Sequence, residues 1–204
     1  IWAKNASTSN IRYRWYESNS IKTDFNIFTK AYYQVSEALN FFGDLQYRTV
    51  SYDIKGVNDD RADITQDSNY QFFNPKFGVN YQLSKTSSVY ASYAVGNKEP
   101  SRQDFIDNAQ APLAETLRDL EIGYRTAGQK LSFDANFYYM NYKNQLVLTG
   151  ALNDVGAPIF TNSGKSYRLG VEVASTIALS NNWIVQSNAT LSQNRNQDFY
   201  FQQP

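Results

Sequence analysis

The sequence predicts an all-β fold: an antiparallel section of a transmembrane β-barrel, with about eight strands in sequential hairpins. Three observations carry this. Apolar and polar residues alternate over unusually long stretches, connections of two sizes take turns along the chain, and no window supplies the roughly twenty apolar residues that a membrane helix needs. The clearest stretch is "KLSFDANFYYMNYKNQLVLTG", where Leu131, Phe133, Ala135, Phe137 and Tyr139 alternate with Ser132, Asp134, Asn136, Tyr138 and Met140. A globular strand averages about five or six residues. One that keeps two unlike faces for about ten has something broad and apolar against one side.

Taken in order, the first strand is expected at 23–35, with Phe25, Ile27, Thr29, Ala31 and Tyr33 on one face. A tight "SEA" leads into 39–52, where Leu39, Phe41, Gly43, Leu45 and Tyr47 oppose Asn40, Phe42, Asp44, Gln46 and Arg48. Residues 53–72 are rich in Asp, Asn and Ser without a period, and read as a long loop. The second hairpin, 73–84 and 87–97, turns at "SKTS" and is followed by a second long loop carrying Pro100 and Pro112, which discourage pairing. Strands at 115–126 and 130–143 flank "TAGQ", a third long stretch fills 144–165, and strands at 166–179 and 183–195 flank "LSNN".

Long loops are uncommon in compact domains, yet here three alternate with short turns. Outer-membrane barrels combine short periplasmic turns with long extracellular loops. Ten residues at roughly 3.3 Å each, tilted about 45°, rise some 23 Å, which matches an apolar band of about 25 Å. Trp183 begins a strand and Tyr139 and Tyr142 finish one, as the aromatic girdles of such barrels require.

Composition removes several functions. The 19 basic and 19 acidic residues balance, so nothing points to nucleic acid or an acidic substrate. There is no cysteine and no histidine, which excludes disulfides, thiolate sites and the commonest general base and metal ligand. No catalytic, metal or cofactor residue is assigned, and the chain does not read as an enzyme. It opens without an initiator methionine or a basic, apolar leader, and so reads as a piece of something longer or as a processed chain.

The strings "NPKFGVNYQLSKTSSVYASYAVGNKEPSRQDF", "ETLRDLEIGYR", "FYYMNYKNQLVLTG", "NDVG" and "NSGKSYRLGVEV" give the chain a resemblance, from about residue 22 to 198, to the late barrel strands of TonB-dependent outer-membrane receptors of the Bacteroidetes type. The resemblance implies a barrel of about twenty-two strands around a plug, of which about eight are present here. It implies location in the bacterial outer membrane and uptake of a scarce solute such as a ferric siderophore, cobalamin or a glycan. The partners it implies are outer-membrane lipid, the rest of the barrel, the missing plug, the TonB energy-coupling complex reached through that plug, and the small-molecule cargo.

On that reading residues 1–22 end an extracellular loop, 23–195 form barrel strands and 196–204 begin the next loop. "KEPSR" would sit where a strand leaves the membrane and "NQLVLTG" at an outer crest, while "GVE" would turn Glu172 toward the plug. The candidate ligand-facing loop residues are Lys98, Glu99, Arg102, Asp104, Asn153 and Asp154, and the lumen-facing charges are Arg125, Asp134, Arg168 and Glu172.

Sharper motifs fail on spacing. "SGKS" at 163–166 lacks a phosphate loop's first glycine, since Ile159 stands there, and precedes a strand pattern rather than a helix. Asp119 with Glu121, or with Asp134 across the neighbouring strand, has the composition of a glycosidase dyad, but charges facing a water-filled lumen serve equally well as ion pairs. Two other architectures stay open. One is a complete eight-stranded barrel or porin-like channel, against which inward Gly78, Gly96, Gly123 and Gly170 argue because a narrow lumen needs side chains. The other is a soluble carbohydrate-binding β-sandwich.

Overall fold

The computed structural model describes residues 12–59, 61–107, 111–153, 156 and 158–197. Its elements are β1 (Glu17–Gln34), β2 (Leu39–Val57), β3 (Gln66–Gln82), β4 (Ser87–Lys98), α1 (Arg102–Asp107), β5 (Glu115–Ala127), β6 (Leu131–Lys143), β7 (Leu146–Leu152), β8 (Pro158–Asn162), β9 (Lys165–Ser180) and β10 (Trp183–Gln197). Eight strands form one antiparallel sheet in the order β1-β2-β3-β4-β5-β6-β9-β10, while β7 and β8 pair separately. The large sheet is open, with β1 and β10 at its edges. A sandwich would need a second large sheet, and the described residues supply none.

The expected strands are present, with four differences, the first being that β1 starts at Glu17 rather than 23, within the stretch read as the end of a loop. β2 runs on to Val57 and β3 starts at Gln66, so much of the stretch read as a loop at 53–72 is strand. Periodicity reveals a strand only where one face is apolar, whereas backbone pairing has no such requirement. The third long stretch contains the β7–β8 hairpin, and the second contains the six-residue helix α1.

Two compact units make up the chain. In one, residues 12–25 with 49–70, the loop after β2 is held by Asn58, whose side-chain oxygen accepts from Ala62 N at 2.8 Å. The Thr65 hydroxyl and its N–H, the latter at 2.9 Å, hold the exposed Asp63 carboxyl below its ordinary pKa. Gly56 has φ +116°, and a Cβ there would fall 2.1 Å from the Glu17 carbonyl oxygen.

The other unit, residues 26–48 with the described residues from 71 onward, holds the eight-stranded pairing that positions the site. Its short turns are fixed by hydroxyls: Ser36 Oγ accepts from Leu39 N at 3.1 Å, and Ser84 Oγ accepts from Ser87 N at 3.2 Å. Register then sorts side chains into two faces. One face carries rows such as Val79–Ala91–Ile122–Phe137–Val171–Leu191, and the other Asn80–Tyr90–Gly123–Asn136–Glu172–Thr190. The apolar face is uncovered: Ile122 is 50% exposed, Val171 44% and Leu191 81%. Among the described residues the buried apolar side chains are few, Val50, Ile54, Phe72, Pro100 and Pro112, so this chain does not fold around a conventional core.

On the polar face, glycines seat aromatic rings. A Cβ on Gly123 would lie 2.3 Å from Tyr90 Cζ, and one on Gly78 2.2 Å from Phe42 Cε1. These positions are therefore filled by neighbouring rings rather than left as space, which removes most of the force of the glycine argument against a narrow barrel. Gly96, with nothing within 4 Å of its would-be Cβ, is the open one.

Replacing Gly123 with Ala drives a methyl into the Tyr90 ring and disturbs the Tyr90 hydroxyl, which donates to Asn136 Oδ1 at 3.1 Å. Overpacking of this kind costs about 1–3 kcal/mol. Gly123→Ala is expected to lower the temperature at which the intact protein loses its heat-modifiable gel migration, whereas Gly96→Ala leaves it unchanged. Equal behaviour of the two variants would contradict the ring-on-glycine packing.

Candidate functional site

Lys30, Asp44, Gln46, Asn74 and Lys76 line a polar cleft of about 370 Å³. Lys30 Nζ lies 3.4 Å from Asp44 Oδ2, and Asn74 Nδ2 donates to Gln46 Oε1 at 3.0 Å. The amide chain continues: Asn97 Nδ2 donates to Asn74 Oδ1 at 2.8 Å, and Thr116 Oγ1 to Asn97 Oδ1 at 2.8 Å. It links β2, β3, β4 and β5. Sequence reasoning missed it, because isolated Asn and Gln near strand ends carry no signal until register joins them.

Further across the sheet, the predicted lumenal charges share one face. Arg125 Nε donates to Asp134 Oδ2 at 2.7 Å, and its guanidinium sits 5.7 Å from the Tyr90 ring centroid. Arg168, predicted beside them, stacks on Tyr142 at 5.1 Å instead of joining a carboxylate. Glu172 lies opposite Asn136 on β6 and Thr190 on β10. Glu121 faces Ser92 and Tyr138, and Asp119 faces Ala94 and Met140, so both lie on this same face. None of these three carboxylates forms an ion pair among the described residues, and Asp119 Oδ1 is buried with no hydrogen-bond partner. The patch is acidic in excess. Its spacing gives no metal cage, since no cluster of three ligating side chains occurs among the described residues.

At the rim the predicted loop residues divide by role. Glu99 is 7% exposed and accepts two parallel bonds from Arg48, Nη1 to Oε2 and Nη2 to Oε1, each 2.9 Å. Such a bidentate pair is geometrically specific, and removing one partner of a buried pair costs about 3–5 kcal/mol. Asp104 Oδ2 accepts from both the N–H and the hydroxyl of Ser101 at 2.7 Å, and the Asp104 N–H returns a bond to Ser101 Oγ at 3.3 Å, which starts α1. Lys98 reaches Glu115 at 3.7 Å. Arg102 is exposed on the first turn of α1, and the Asn153 carbonyl accepts from Gly156 N at 2.9 Å in the β7–β8 connection. Asp154 lies outside the described residues.

Asn162, unremarked in sequence, ties two outer segments together. Its amide exchanges bonds with the Leu113 N–H and carbonyl at 2.8 and 3.0 Å, and donates to the Asn144 carbonyl at 2.6 Å. The arrangement is thus a polar wall with acidic excess beneath a rim of mutually anchored loops.

Comparison with known proteins gives this wall a setting. The family model described as "TonB dependent receptor-like, beta-barrel" matches residues 3–203. Among solved structures, the FrpB iron transporter from Neisseria meningitidis (F3-3 variant) is similar with TM-score 0.69 and 19% identity, over 88% of this chain and 27% of that one. The copper transporter OprC aligns with TM-score 0.73 and 14% identity, over 87% of this chain and 29% of its own. The siderophore receptor PiuA from Acinetobacter baumannii aligns with TM-score 0.70 and 15% identity, over 88% and 26%. The chain therefore spans under a third of the length of these structures. A search of curated proteins finds no match. The match over nearly every residue makes the chain a member of the TonB-dependent receptor β-barrel family.

Proposed function

We propose that this chain is a stretch of barrel wall from a bacterial outer-membrane receptor that takes up a scarce solute, a ferric siderophore or a similar metal complex, and is not an enzyme. Residues 1–22 end one outer loop, 23–195 supply wall strands and 196–204 begin the next loop. The observation that carries the reading is the two-faced register. One set of strands presents uncovered apolar rows on one side and a polar, charged wall on the other, with almost no buried apolar core of its own. Lipid on the first side and a plug in a wet lumen on the second are the surroundings that make both faces stable.

Asp119, Glu121 and Glu172, which form no ion pair within 4 Å among the described residues, favour a plug that brings basic groups to this wall. Such a plug connects the wall to the TonB energy-coupling complex. Lys98, Arg102, Asn153 and Asp154 belong to the rim that meets cargo, while Glu99 and Asp104 shape that rim through Arg48 and Ser101. That the similar structures are named for iron, copper and siderophore transport supports a metal-complex cargo over a glycan.

Deleting the intact receptor is expected to abolish energy-dependent accumulation of labelled ferric siderophore by iron-starved cells while leaving oligosaccharide and cobalamin uptake unchanged. Loss of oligosaccharide uptake with metal-complex uptake intact would overturn the cargo class.

The faces are tested by adjacent residues. Val171 lies in an apolar row and Glu172 in a polar one. An arginine near the bilayer midplane costs roughly 2–4 kcal/mol in such barrels. Val171→Arg is therefore expected to reduce the surface level of the intact receptor well below that of Glu172→Gln. Immunodetection of the two variants at equal levels on whole cells argues against the assignment.

A further inference from the structure

The apolar face of β5, β6, β9 and β10 changes character at the end where the long connections emerge. Beyond the row Leu120–Tyr139–Leu169, the same face continues with Arg118–Asn141–Tyr167–Arg195 and then Thr116–Lys143–Lys165–Gln197. Arg118, Lys143, Lys165 and Arg195 are all exposed. Alternation along the four strands puts no carboxylate on this face anywhere between their ends. None of the four cations forms an ion pair among the described residues. The neutral Gln193 amide lies 3.1 Å from Arg195 Nε and 3.0 Å from Nη2, and accepts from the guanidinium when its oxygen is turned that way.

Lys143 and Lys165 stand directly opposite each other across the β6–β9 ladder. Like charges so placed destabilise a sheet pair unless an anion from outside offsets them. The height of the cluster identifies where that anion comes from. Tyr139, in the last apolar row, and Tyr167, in the first basic row, have ring centroids 6.4 Å apart. Amphipathic rings of this kind mark the level at which hydrocarbon gives way to headgroups. The four cations thus stand at headgroup level on the side facing away from the lumen, where neither plug nor cargo reaches them.

We propose that Arg118, Lys143, Lys165 and Arg195 form a docking surface for the phosphates of an outer-leaflet lipid headgroup. The inference rests on the membrane reading above. Two guanidinium forks and two ammonium groups match phosphate oxygens in charge and donor count. They are spread over three strand-to-strand steps, about 14 Å, which favours a headgroup carrying more than one phosphate. The surface anchors the receptor to its lipid shell and sets the height of this part of the wall in the membrane.

The test titrates the detergent-purified, intact receptor with bisphosphorylated lipid A, monophosphoryl lipid A, fully dephosphorylated lipid A and inorganic phosphate, counting adducts by native mass spectrometry. Bisphosphorylated lipid is expected to bind tightest and the dephosphorylated form not at all. Each cation removed weakens binding about fivefold, so Lys143→Gln with Lys165→Gln loosens it about 25-fold. Arg168→Gln, at similar height on the opposite face, leaves it unchanged. Equal retention by the double variant, or equal binding of dephosphorylated lipid, overturns the proposal. Inorganic phosphate binding as tightly as lipid replaces the lipid surface with a free-anion site and likewise overturns it. Cell fractionation of the same variants separates this outcome from failure of the membrane reading, which would appear as a receptor absent from the outer membrane.

Discussion

The obligation to pair every backbone N–H and C=O governs this structure. In contact with hydrocarbon an unpaired peptide group costs several kcal/mol, so a strand whose side chains face lipid must be bonded along its whole length to neighbours on both sides. The ladders from Ser87 on β4 to Gln197 on β10 meet that demand with one register shift, between Trp183 and Ile184 on β10. The cost of the arrangement falls on the edges. β1 and β10 each have one neighbouring strand among the described residues.

Fixing the ladder leaves side chains to handle two media. Outward positions need only be apolar, and Ile122, Phe137 and Val171 meet that requirement without touching a specific partner. Inward positions require compensation, and two kinds appear. Rings of Phe42 and Tyr90 lie on glycines, and some charges pair locally, as Arg125 does with Asp134, while the amide chain from Gln46 ends at Asn97 and Thr116, which register puts on the other face. Asp119, Glu121 and Glu172 lie outside these schemes. Near water-filled space an uncompensated carboxylate is tolerable, and against a plug it becomes a point of attachment.

How much of this was legible in sequence depended on whether a local period existed. The alternation of Leu131 to Tyr139 has one because lipid filters one face, so β6 was predicted within one residue of its observed start. Residues 53–57 and 66–72 hold only scattered apolar side chains, Ile54, Val57, Tyr70 and Phe72, too few to sustain a period of two, so the strands they form had no signature. Ser101 and Asp104 form a readable capping pair, but the helix after them is too short to show a period. The Arg48–Glu99 pair joins residues 51 positions apart, and no composition rule connects them. The seating of Tyr90 on Gly123 depends on register across two strands, which sequence suggests only after the hairpins are aligned.

Charge shows the same separation between composition and geometry. A formal net charge of zero argued against any polyanionic partner. Yet Arg118 and Asp119 are adjacent in sequence and face opposite media, because strand side chains alternate with a period of two. Neighbours on opposite faces neutralise each other in the sum but not in space, where a sheet stands between them. The zero is therefore compatible with an acidic lumenal wall and a basic outward rim, two fields of opposite sign aimed at different partners. A slip of one residue in a single ladder would exchange the faces and place lysines in the lumen and carboxylates in lipid. Register is thus the variable on which lipid contact, plug contact and the outer rim jointly depend, and the short hydroxyl-rich turns at Ser36 and Ser84 help to hold it.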